Sequence, residues 1–162
     1  MADSTDAVLI ALRRIIRATD ICSQKLRKTV GLTTPQSLVL RTVAQSGGVS
    51  LGRIARNLSL SQATVTTLVD RLDRGEFIER VRSEEDRRRV FVRLTTSGNA
   101  VIFQAPDLLQ DRFVARLEGL RDGGRSMIAA ALQRTAALMD ASELDASPVL
   151  LTGELAGNTP GE

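Results

Sequence analysis

At 162 residues and 43% apolar content, the chain can pack a sizeable core, and no apolar run reaches the roughly 18–20 residues that a membrane-spanning helix needs. Its start, Met1-Ala2-Asp3-Ser4, lacks the basic-then-apolar pattern of a secretory signal, and with one cysteine, Cys22, no internal disulfide can form, so a cytoplasmic protein is expected. The net charge of +3 hides a segregation, with 17 Lys and Arg against 10 Asp and Glu in residues 1–93, and 5 against 9 in residues 94–162.

A basic front and an acidic rear point to one end that faces a polyanion and another with a different task. Aromatic residues are scarce: four Phe, no Tyr and no Trp. Single-stranded nucleic acid is held by bases stacking on exposed rings, so duplex DNA is the better candidate polyanion.

Residues 6–30 read as a long helix. Val8, Leu12, Ile15, Thr19, Cys22 and Leu26 recur at a spacing near 3.5, with Ile16 and Val30 widening the stripe, and Gly31 stops it. Such a stripe buries itself either in its own subunit or against a partner; its length and near-heptad spacing favour a partner. A second helix starts at Thr34-Pro35, with Thr34 as cap, and ends at Gly47-Gly48. Ser50 caps a short helix carrying Leu51, Ile54, Ala55 and Leu58. Ser59-Leu60 turns the chain, and Ser61 caps a helix over residues 62–74.

Two strands follow, over residues 77–81 and 90–94, joined by the charged loop Arg82-Ser83-Glu84-Glu85-Asp86-Arg87-Arg88-Arg89. From Thr95 or Thr96 a long helix runs to about Leu120, where Pro106 predicts a kink or a restart. Asp122-Gly123-Gly124 reads as a turn before a last helix through Ile128, Leu132 and Met139. Residues from about Ser142 read as a mobile tail.

Leu51–Leu72 carries the functional signal. Two short helices crossing at a tight turn need close backbone approach, which Ala55 permits. With Val65, Leu68, Val69 and Leu72 buried, the second helix shows Ala63, Thr66, Thr67 and Asp70, flanked by Gln62, Thr64 and Arg71. Ala and Thr methyls can meet thymine methyls, Gln62 can pair with adenine, and the helix start at Ser61 can take a phosphate. Taken alone, the pair is equally well a structural helix pair with a solvated face. The adjacent arginine loop favours DNA, since arginine suits a narrow minor groove and Asp86 can hold Arg88 in a fixed orientation.

The run from Leu51 to Leu72, then Phe77-Ile78-Glu79-Arg80 and Asp86 to Gly98, resembles the helix-turn-helix and wing of the MarR family of bacterial regulators. The resemblance implies a mainly α fold with a small β-hairpin wing: a winged helix-turn-helix over about residues 35–95. It implies dimerisation helices over about 6–30 and 96–141, seamed by Leu12, Ile15, Ile16 and Thr19, with 142–162 as the tail. It implies a homodimer that binds double-stranded DNA through Ser61, Gln62, Ala63, Thr64, Thr66, Thr67, Arg71, Arg87, Arg88 and Arg89, steadied by Asp86. A transcriptional repressor, with a small-molecule effector as its further partner, is the expected function. The family has glycine where Glu76 stands, while Gly75 precedes it, so a turn shifted by one residue is expected. A narrower likeness, to regulators of ectoine and other compatible-solute genes, rests on Leu9-Ile-Ala-Leu-Arg-Arg-Ile-Ile-Arg-Ala-Thr19 and on Gly31-Leu-Thr-Thr-Pro-Gln36.

The rival classes are weaker. With no histidine, no Gly-rich phosphate loop and no cysteine pair, neither an enzyme nor a bound metal or cofactor is expected. A redox sensor would need Cys22 exposed, yet Cys22 lies on the apolar stripe, and the family's peroxide sensors place their reactive cysteine nearer the start of that helix. A winged helix that serves only protein contacts would show no salt-dependent binding to duplex.

Overall fold

The computed structural model describes residues 3–82 and 90–143. Along the chain run α1 (Ser4–Val30), α2 (Thr34–Ser46), β1 (Val49–Ser50), α3 (Leu51–Leu58), α4 (Gln62–Arg74), β2 (Ile78–Arg82), β3 (Val90–Leu94), α5 (Thr96–Gln104), α6 (Leu109–Glu118) and α7 (Asp122–Leu138). The fold is mainly helical, with one small antiparallel sheet ordered β1-β3-β2.

Apolar spacing explains the core. The i, i+3, i+4, i+7 set on α4, Val65, Leu68, Val69 and Leu72, is buried against Val39, Leu40 and Val43 of α2 and Ile54, Ala55 and Leu58 of α3. Val49, Ile78 and Val92 close this core from the sheet. The C-terminal end of α1 joins through Val30, packed against this core, and the following Leu32. Helices α6 and α7 bury none of their own residues within the chain.

Several sequence expectations need correction. Thr33, not Thr34, caps α2: the Gln36 side-chain oxygen accepts from the Thr33 N–H at 2.8 Å, and Pro35 falls in the first turn. The two-residue strand β1 was not expected; Val49 pairs with Val92 and Ser50 with Phe91 directly after the Gly47-Gly48 turn. The hairpin's first strand sits one residue later than predicted, at Ile78–Arg82. Gly123 and Gly124 lie inside the first turn of α7 instead of preceding it, because the chain is already helical from Asp122. Pro106 causes a full break, so the expected long helix is two helices, α5 and α6.

The turn into the wing is not shifted. Gly75 has an ordinary φ of −83°, and Glu76 itself takes the left-handed position at φ 58°. The Phe77 N–H donates to the Leu72 carbonyl at 3.0 Å and the Glu76 N–H to Asp73 at 2.9 Å, the paired bonds of a Schellman close. Glu76 therefore occupies a conformation that disfavours a side chain. Gly98 is constrained by space: a Cβ there would lie 2.0 Å from the Phe77 carbonyl oxygen.

Glu76→Gly is expected to raise unfolding free energy by about 0.5–1 kcal/mol, by relieving the left-handed strain. Gly98→Ala is expected to lower it by about 1–3 kcal/mol through overpacking. Urea unfolding of both variants measures this, and a change of the opposite sign in either would refute that account of the turn.

Candidate nucleic-acid interface

Burial on one side of α4 leaves its other side free. Ser61, Gln62, Ala63, Thr66, Thr67 and Arg71 are exposed and Thr64 is half-buried, so the seven predicted residues of this helix and its cap form one outward surface. Ser61 caps α4: its hydroxyl accepts from the Thr64 N–H at 3.1 Å. Gly52 on α3 leaves space for the Gln62 side chain, whose nitrogen lies 3.4 Å from where a Cβ would stand.

The threonines have a defined polarity. Thr66 donates its hydroxyl to the Gln62 carbonyl at 2.8 Å, and Thr67 donates to Ala63 at 3.1 Å. With their protons committed to the helix backbone, these hydroxyls offer lone pairs outward, beside a methyl group. Such a surface suits base amino donors and thymine methyls better than it suits phosphate oxygens.

Sequence reasoning missed Arg80. Strand alternation places it on the same sheet face as buried Ile78, opposite Val92 and towards α4. There it pairs with Asp70, and its Nε lies 3.4 Å from the Asp73 carboxylate. Asp70, predicted to face outward, is thus engaged by the wing. A charged residue in alternation with Ile78 on one strand face was the available signal. The pairs are partly exposed, so they add about 0–1 kcal/mol to stability; their effect is to fix the hairpin against α4.

The hairpin narrows to the pair Arg82 and Val90. Asp86, Arg87, Arg88 and Arg89, predicted for the wing tip, lie outside the described residues. Of the predicted seam on α1, Leu12 is half-buried, Ile15 and Ile16 are 51% and 55% exposed, and Thr19 is buried within the subunit. Cys22 is half-buried, with its Sγ 3.6 Å from an Arg112 nitrogen.

Two helices crossing at a tight turn, the second tied to a following hairpin, define a winged helix-turn-helix protein. Residues 32–90, which hold the helix-turn-helix and the start of the second hairpin strand, match the family model described as MarR family. The HTH-type transcriptional regulator MgrA of Staphylococcus aureus is 35% identical over 79 residues, which are 49% of this chain and 54% of MgrA. The chain thus spans about half the length of these curated relatives.

Among solved structures, Bordetella bronchiseptica BpsR, described for the regulation of its DNA binding by 6-hydroxynicotinic acid, is similar with a TM-score of 0.58. Its identity is 26%, over 84% of this chain and 97% of that one. A mutant MarR from E. coli, complexed with operator DNA, has a TM-score of 0.53 and 22% identity, over 83% of this chain and 99% of that one, a likeness of fold alone.

Arg80→Ala is expected to reduce duplex affinity at least about tenfold while leaving the unfolding midpoint nearly unchanged. Fluorescence anisotropy and thermal melting separate the two effects. Undiminished affinity would show that the hairpin needs no fixing to α4.

Proposed function

We propose that this chain is a sequence-specific double-stranded DNA-binding transcriptional regulator, a repressor that acts as a homodimer and responds to a small-molecule effector. The observation that carries the reading is α4 itself. Its inward face is consumed by the core, its outward face is exposed from Ser61 to Arg71, and Arg80 ties it to an arginine-rich hairpin. In this reading α4 enters the major groove through Gln62, Ala63, Thr66 and Thr67. Arg87, Arg88 and Arg89 reach the neighbouring minor groove, with Asp86 orienting Arg88.

Dimerisation is supported by what the single chain leaves uncovered. Val8, Ile15 and Ile16 on α1, Phe103 on α5, and Met127, Leu132, Leu138 and Met139 on and just after α7 are all exposed. An isolated helix such as α7, with none of its residues buried, is marginal in water and needs a packing partner. A second copy supplies matching faces, and its two-fold axis sets two α4 helices about 34 Å apart for a pseudo-palindromic site. An effector bound between the helical ends and the winged helix shifts the population towards another separation.

Selecting duplexes from a random pool with the purified full chain tests the reading. Affinity for the enriched duplex should fall steeply as salt rises, as expected when several arginines displace counterions. Thr67→Ala should change base preference and leave the salt slope intact, whereas Arg88→Ala should weaken all sequences. Failure to enrich any duplex would refute DNA recognition.

Ile15→Asp should convert the dimer to monomer or unfold it, as read by light scattering and circular dichroism. A folded Ile15→Asp dimer would remove the seam.

A further inference from the structure

The winged helix and the C-terminal helices meet at a weak point. α5 ends with the Ala105 N–H shared between the carbonyls of Val101 and Ile102, at 3.0 and 3.2 Å. Pro106 has no N–H with which to continue the ladder. Helix restarts only at Leu109, so residues 105–108 are a non-helical joint. Leu108 is buried at this joint, beside a cavity of about 20 Å³ lined by Thr19, Cys22, Ser23, Leu26 and Thr34.

One side chain spans the break. Arg41 stands on α2, among core residues Leu40 and Val43 of the winged helix. Its Nη2 donates to the Pro106 carbonyl at 3.1 Å, inside the joint. Its Nη1 lies 2.9 Å from the Asp111 carboxylate, in the first turn of α6. The same guanidinium therefore holds both the joint and the helix beyond it. Its Nε is buried and has no hydrogen-bond partner among the described residues. The planar fork resists rotation as a lysine point charge would not.

We infer that Arg41 is a positioning residue that sets the angle between the winged helix and α6–α7, and thereby the spacing of the two α4 helices in the dimer. The first half stands on the geometry of one subunit; the second rests on the proposed DNA-binding dimer. With Arg41 in place, the orientation of α6 is transmitted to α2 and on through the core to α4. Without it, the joint and α6 lose their tie to α2, and α4 loses its fixed separation from a second copy.

The test uses the full chain with nitroxides on ketone-bearing unnatural residues at the exposed positions Gln45 and Glu118, diluted into excess unlabelled chain. Electron–electron resonance then reads the distance within one subunit. The unsubstituted protein should give a single narrow distribution. Arg41→Gln should broaden it about twofold. Asp111→Asn, at a half-exposed carboxylate, should broaden it less, and the double variant no more than Arg41→Gln alone. An unchanged width in both single variants would overturn the inference, whether or not any duplex binds. On the selected duplex, Arg41→Gln should lower affinity about tenfold with base preference and salt slope retained. Unchanged affinity beside a broadened distribution would overturn the link to α4 spacing and leave the joint.

Discussion

The peptide units on either side of Phe77 join elements that would otherwise move separately. The Phe77 N–H closes the end of α4 on the Leu72 carbonyl, and its own carbonyl accepts the Thr95 N–H at 3.1 Å. Gly98 presses the first turn of α5 against that same oxygen. The Thr95 hydroxyl adds a 2.6 Å bond to the Glu76 carbonyl and accepts from the Gly98 N–H at 3.0 Å. Helix α4, the hairpin base and α5 thus converge on two residues. This convergence explains why a left-handed glutamate is tolerated at position 76: neighbouring bonds fix the backbone regardless of the local penalty.

Burial divides the chain into unequal parts. The contiguous core lies among residues 32–94, where short amphipathic helices cover one another and the sheet closes the base. Outside it, α1 contributes Thr19 and Leu26 as its buried residues, while Ile15 and Ile16 remain open to solvent. Helix–helix association of that kind stabilises a subunit only when a second surface arrives, so stability and assembly are one equilibrium in the proposed dimer.

Much of this was legible before any coordinates. The α4 boundaries, its buried set and its Ser61 cap follow from 3.6-residue spacing and capping chemistry, and the structure keeps them. Strand β1 escaped because two residues carry no periodicity; their pairing with β3 is decided by tertiary contact. Gly123-Gly124 looked like a turn because glycine propensity is a local prior that tertiary context overrides. The Asp70–Arg80 pair was out of reach, since an ion pair between a helix and a strand has no sequence spacing to betray it. For the same reason Arg41 stood out in no pattern, although Pro106, its partner, marked the break.

Electrostatics ties the hairpin's geometry to its chemistry. Asp70 and Asp73 would repel phosphate if their charge faced a groove, and in a partly desolvated interface that repulsion exceeds its value in water. Arg80 meets both carboxylates from the sheet side, so their charge is spent within the subunit. Arg71 then remains exposed on α4 with no described carboxylate to pair with, available to a polyanion. A lysine at position 80 could neutralise one acid but not grip two in a fixed plane. Arg80 therefore orients the hairpin and cancels the acids of α4 in one contact, which accounts for carboxylates being tolerated beside the surface proposed to approach DNA.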